Sequence, residues 1–509
     1  MPIDNELTTL DPTGLDRRPG APSGRAAGAL EPDSAGLVAP SRGNTEAGAA
    51  HMKPRHLVMM ALGSAIGTGL FVGSGTAISL AGPAVLVSFL VACVILVLVM
   101  RAMGEMAAAD PARGAFSVYA EKAMGRTAGQ TLGWLWWAQL VIVIAAEATA
   151  AAQILNELWP ALPQWALALV FMVAFTALNL FSVKAFGESE FWFAMLKVGA
   201  VIVFLLVGAA LMLGLLPAAS PGLGNLTGHG GFMPTGITGV AAALLVVVFA
   251  FGGTELVTVA AAETRNPQRT IVRAIRTIVV RLLVFYVGSV ALMVLILPWN
   301  DQTLSASPFV AVLTVAGLPG AEAVMAVVIV LALLSALNAN LYGASRMLFS
   351  LSTRGSAPAR FARTGKGGVP RAAVFASVLF GFVTVGLNYL WPEALLGFLL
   401  NTIGSTVLVV WTLSLVSQII LRRRADRAGE KLPFRMWCFP YLSYLALALI
   451  GMIVLLGLAD PVVRTQFGLT AGLIVLIAVL CKVLGTPKDA EDRPAGREDR
   501  SGAGSRPGL

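Results

Sequence analysis

Charge is scarce in this chain. Only 12% of its 509 residues are Asp, Glu, Lys or Arg, and cysteine and histidine occur three times each. The cysteines, Cys93, Cys438 and Cys481, are scattered, with no metal-ligand spacing. They read as small apolar packing residues. The histidines, His51, His56 and His229, are equally dispersed, so no metal and no cofactor is expected. No nucleophile–base pair and no phosphate-binding loop occurs, and nothing in the sequence points to an enzyme. The alternating pattern of an outer-membrane barrel is missing as well.

What abounds is apolar surface. Hydrophobic residues make up 57% of the chain, and the mean hydropathy is +0.80. Runs such as AVLVSFLVACVILVLVM, Ala84–Met100, match a bilayer crossing of about 20 residues. The fold class is therefore an all-α polytopic membrane protein, with the lipid bilayer as its surroundings. The pattern predicts about twelve transmembrane helices. They lie near 57–80, 83–108, 129–156, 164–182, 187–216, 236–263, 271–297, 320–352, 371–390, 393–421, 436–459 and 466–485, with a short helix at 307–316. Residues 1–52 and 486–509 are rich in Gly, Pro, Ala and charge, and read as disordered tails around a transmembrane domain at 53–485.

The net charge of +9 does not imply a nucleic-acid partner, because the basic residues sit between apolar runs. Loops after the even-numbered spans carry Lys122, Arg126, Lys184, Arg269, Arg354 and Arg422, whereas those after the odd-numbered spans carry almost none. By the positive-inside rule, the even loops and both termini are cytoplasmic.

Two stretches interrupt the apolar pattern. GSAIGTG, Gly63–Gly69, lies in the first span, and FAFGGTE, Phe249–Glu255, lies in the sixth. Unwound backbone survives at membrane depth only where it lines a cavity or is buried in protein. Breaks in spans one and six correspond if the core is two five-span repeats, the second inverted, and such paired breaks point to a transporter's binding site. Entering from the cytoplasm, span one offers free N–H groups near Thr68–Gly69, which suit a carboxylate. Span six enters from outside, and its first half ends near Phe249–Gly252 with free carbonyls, which suit an ammonium. Together they describe a receptor for a zwitterion, and hence an amino-acid transporter.

Longer segments carry a family resemblance. KPRHLVMMALGSAIGTGLFVGSG, MRAMGEMA, SVKAFGESEFWFAMLKV, AAAETRNPQRTIVRA and NANLYGASRMLFSLSTRG resemble the amino acid–polyamine–organocation superfamily, specifically its bacterial amino acid transporter family. GWLWWAQLVIVIAAEATAAAQIL, GGFMPTG and LILPWN most resemble its 4-aminobutyrate (GABA) permeases. The resemblance implies the leucine-transporter fold, a 5+5 inverted repeat plus two extra helices, in the inner membrane of a bacterium. It implies import of an amino acid by proton symport. The substrate would sit among Ser64, Ala65, Ile66, Gly67, Thr68 and Gly69 of the first break and Phe249, Phe251 and Gly252 of the second.

Ionisable residues at membrane depth are costly, at roughly 2.5–3.5 kcal/mol, and usually functional. Lys197 matches a family lysine whose ammonium replaces the sodium ion of sodium-coupled cousins, so it is a proton-coupling candidate, or else a lysine snorkelling to the interface. Glu255 matches a family glutamate behind the second break, and would either carry a proton or tie helices together. Glu147, amid small residues in span three, would pair with a substrate amine or hydrogen-bond a neighbouring helix. Other expectations remain open: a permease for proline, aromatic or basic amino acids, an exchanger, or a sensor that binds without transport.

Overall fold

The computed structural model describes residue 59 and residues 63–483, apart from 113, 182, 219, 262–266, 306, 366 and 367. The tails expected at 1–52 and 486–509 lie outside the described residues. Among the described residues there is no strand.

A helical turn at 63–65 is interrupted at 66–67 and resumes as α1, Thr68–Phe71, and α2, Gly73–Ala81. Pro83 and Gly82, with φ +64°, shape a tight turn into α3, Val85–Ala109. Then come α4, Ala115–Met124, α5, Arg126–Leu158, α6, Gln164–Phe181, and α7, Val183–Met212. The second interruption separates α8, Gly236–Ala250, from α9, Leu256–Ala261. The chain continues through α10, Pro267–Ile296, α11, Pro308–Val315, α12, Ala321–Thr353, α13, Arg371–Leu390, α14, Pro392–Arg427, α15, Tyr441–Gly457, and α16, Pro461–Val483. Four of these helices begin on proline, whose missing N–H costs nothing in a first turn.

Eight helical stretches among the described residues are long and apolar enough to cross a bilayer, with α6, α8 and α15 as shorter apolar helices. One of the eight, Gly73–Ala109, contains the turn at Gly82 and so comprises α2 and α3. The short helix expected at 307–316 is α11. The segment after α3, read from sequence as a plain cytoplasmic loop, holds α4, a helix too short and polar to register as a span.

The α5–α12 pair forms the centre of the bundle. The run Ala145–Ala152, broken only by Glu147 and Thr149, is buried and lets neighbouring backbones approach. The periphery is the reverse. Val170 and Val173 on α6, Trp192 and Leu206 on α7, Leu379 on α13 and Leu469 and Val475 on α16 are exposed. Such apolar outer faces suit hydrocarbon, not water.

Candidate functional site

The two interruptions meet. The Ser64 hydroxyl donates to the Gly253 carbonyl at 2.9 Å. Gly253 has φ +94°, and a Cβ there would lie 2.8 Å from the Ser64 carbonyl oxygen, so glycine is required on both counts. On the other side of the junction, a Cβ on Gly69 would strike the Ala250 backbone. The two breaks thus pack backbone to backbone.

Tyr286 of α10 fastens the junction. Its buried hydroxyl lies 2.7 Å from the Ala65 carbonyl and 2.8 Å from the Ala250 carbonyl, one from each break. Its ring stacks on Phe251 at 4.7 Å between centroids. Nothing in the sequence marked this tyrosine, because an aromatic in an apolar run reads as packing.

The start of α1, expected to present free donors, is already engaged. The Thr68 backbone N–H donates to the Glu147 carboxylate at 3.1 Å, and the Thr68 hydroxyl donates to it at 2.7 Å. Charge-assisted bonds of this kind are the stronger class. The expected ammonium acceptors are engaged too. The Phe249 carbonyl accepts the Gly252 N–H at 2.8 Å, and the Phe251 carbonyl accepts the Thr254 hydroxyl at 3.1 Å.

Glu255 accepts the Gly253 N–H at 2.8 Å and the Trp411 indole N–H from α14. Its carboxylate therefore ties the second break to a neighbouring helix. Lys197 is 1% exposed and does not reach the interface. Its ammonium donates to the Gly63 carbonyl, in the helical turn before the first break.

Sequence reasoning missed a further carboxylate, Glu190. It is fully buried two turns before Lys197 on α7, and accepts Ser335 at 2.8 Å and Asn338 at 3.3 Å from α12. Asn338 in turn accepts from Asn179 of α6 at 2.7 Å. A Cβ on Gly63 would collide with the Glu190 carboxylate, which puts Glu190 and Lys197 on the same glycine. The i, i+7 spacing was the available signal, since it places both on one helix face.

A cavity of about 20 Å³ remains at the junction, room for roughly one water. Ser64, Ala65, Gly67, Gly69, Phe249 and Gly252 border it, with Glu147, and so do Gln139, Asn340 and Ile403. Gln139 and Ile403 carried no sequence signal, the first being one amide in a span and the second one aliphatic among many. Ile66, Thr68 and Phe251 are buried behind this wall. A larger apolar cavity of about 760 Å³, between Trp134 and Trp137 of α5 and Leu476 of α16, includes no residue of either break. Among the described residues, no cluster of three metal-ligating side chains occurs.

Interrupted helices joined around a buried polar centre, within a sheath of exposed apolar helices, define a multi-pass membrane permease. The chain belongs to the amino acid permease family of the amino acid–polyamine–organocation superfamily, whose pattern it matches over residues 56–486. It is 46% identical over 435 residues to the aromatic amino acid transport protein AroP of Corynebacterium glutamicum, covering 84% of this chain and 94% of that protein. It is 43% identical over 434 residues to the gamma-aminobutyric acid permease of Bacillus subtilis, covering 84% and 92%. The gamma-aminobutyric acid permease of Escherichia coli is 41% identical over 434 residues, covering 85% and 93%. These relatives indicate a transporter of amino acids rather than an enzyme.

Proposed function

We propose that this protein imports an amino acid by proton symport across the bacterial inner membrane, with GABA as the first substrate to test and an aromatic amino acid as the second. The GABA choice rests on permeases of that name at 41% and 43% identity, the aromatic one on the AroP relative at 46%. In this reading, the chain has twelve spans with both termini cytoplasmic. Its core is a 5+5 inverted repeat, with disordered tails at 1–52 and 486–509 around a transmembrane domain at 53–485.

The observation that carries the mechanism is the Glu147 carboxylate on the Thr68 donors. A carboxylate of the protein's own stands where that of a substrate is expected, and the remaining cavity is far too small for an amino acid. The closed state is therefore read as one in which Glu147 substitutes for substrate. For substrate to enter, Glu147 must let go. A proton on its carboxyl group turns an anionic acceptor into a neutral one and weakens its hold on the Thr68 N–H.

Charge counting supports the coupling. Glu147 and Glu190 with Lys197 carry a net charge of −1 when all are ionised, and buried uncompensated charge is costly. One proton brings the group to neutrality. Lys197, bonded to the helical turn before the first break, transmits the change to the Gly63 carbonyl. Glu255 is a second candidate for the proton, because protonation there would weaken its hold on the second break.

The test is uptake into proteoliposomes under an imposed inward proton gradient, with radiolabelled GABA against unlabelled amino acids. Gradient-driven accumulation supports symport, and the competitor profile names the substrate. Uptake that ignores the gradient and needs internal amino acid would mark an exchanger. Binding without accumulation would mark a sensor.

A further inference from the structure

Gln139 of α5 is 2% exposed and borders the central cavity, yet its Oε1 atom is buried without a hydrogen-bond partner. Such an orphan is unusual, since buried side-chain acceptors nearly always find a donor. It stands at a cavity shared by both breaks. It lies on the same helix as Glu147, two turns toward the end that begins at Arg126. Val143 lies between them and borders the same cavity, so 139, 143 and 147 form one stripe.

The backbone offers a contrast. The Phe249, Phe251, Ala65 and Ala250 carbonyls, the natural seats for an ammonium, already accept hydrogen bonds from Gly252, Thr254, Gly67 and Tyr286. Gln139 brings to the same cavity an acceptor with nothing to accept.

We propose that Gln139 is a specificity residue that receives the substrate's amino group. The substrate carboxylate takes the Thr68 donors that Glu147 vacates, and the ammonium donates to the Gln139 side-chain oxygen. The ligand class is thus a compound that carries both a carboxylate and an amino N–H donor. An amide suits this role because it accepts from a cation without burying a second fixed charge beside Glu147. The inference rests on the amino-acid reading above and deepens it.

The experiment compares matched ligands on the full chain in lipid nanodiscs by isothermal titration. The pairs are 4-aminobutyrate with butyrate, and tryptophan with indole-3-propionate, the second member of each lacking only the amino group. The parent protein is expected to prefer the amine-bearing member of its substrate's pair by about tenfold or more, the worth of one hydrogen bond to a charged group. Gln139→Leu should abolish that preference and leave the des-amino ligand bound as before. Gln139→Glu, which keeps size and an acceptor, should retain it and guards against a variant that merely fails to fold. A preference in Gln139→Leu that matches the parent's, or an equal loss for both members of the pair, would overturn the role of Gln139 and leave the amino-acid reading intact. A parent that binds neither 4-aminobutyrate nor tryptophan, nor any other amino acid, overturns both.

Discussion

Thr68 and Glu147, 79 residues apart in sequence, are joined by the Thr68 hydroxyl at 2.7 Å and by the Thr68 amide at 3.1 Å. A neutral amide in place of the carboxylate imitates the protonated state. Glu147→Gln is therefore expected to bind substrate at every pH but to lose accumulation driven by a proton gradient. Equilibrium binding measured beside gradient-driven uptake checks this, and uptake at the parent level would remove Glu147 from the coupling.

Uptake by the parent protein should be greatest at acid external pH and fall as the pH rises, because entry of substrate requires the proton. Lys197→Ala removes the ammonium that offsets Glu147 and Glu190 and frees the Gly63 carbonyl. The variant should show a flat pH profile. A profile that tracks the parent's would rule out a coupling role for Lys197.

The breaks were legible in the sequence because glycine, serine and threonine at membrane depth have few uses other than close packing and ligand approach. Glu147, Lys197 and Glu255 were legible because charge there is expensive. Their partners were not. That Glu147 would occupy the Thr68 donors is a contact between distant segments, which no local pattern encodes. Glu190 was hidden because GESEFWF looks like the polar margin of a span, and only the packing of α12 reveals it as interior. Helix α4 was hidden because hydropathy finds spans and is blind to short amphipathic helices.

Tyr286→Phe deletes the hydroxyl that serves the Ala65 and Ala250 carbonyls while keeping the ring stacked on Phe251. Leaving a buried acceptor unserved costs about 1–3 kcal/mol. The variant should insert normally, melt at a lower temperature in detergent, and transport more slowly. An unchanged melting temperature would show that the junction holds without this bond.

Gly69→Val should abolish substrate binding with membrane insertion intact, since even a Cβ at this position strikes the Ala250 backbone. Gly253→Ala is the companion, strained by φ +94° and by the nearby Ser64 carbonyl. Strain of this kind costs about 1–3 kcal/mol. Normal uptake by Gly69→Val would place the substrate elsewhere.

At the end of α12, Arg354 pairs with Glu121 of α4 and donates to the Ser117 hydroxyl at 2.5 Å. Burial pulls the Arg354 guanidinium below its ordinary range, and the neighbouring Glu121 carboxylate opposes that pull. Arg354→Gln strands a half-buried carboxylate, a loss of about 1–3 kcal/mol. Faster labelling of an engineered cysteine on α4 would report the loosened contact. Unchanged labelling would leave the pair without a role in holding α4.

The Tyr286 hydroxyl carries a single hydrogen and faces two carbonyls. It can satisfy only one of them at any instant. The Ala65 carbonyl also accepts the Gly67 N–H, so it stays served when the hydroxyl turns to Ala250. Parting the two breaks at this tyrosine therefore surrenders one shared hydrogen rather than two, and the side that keeps it can be either break.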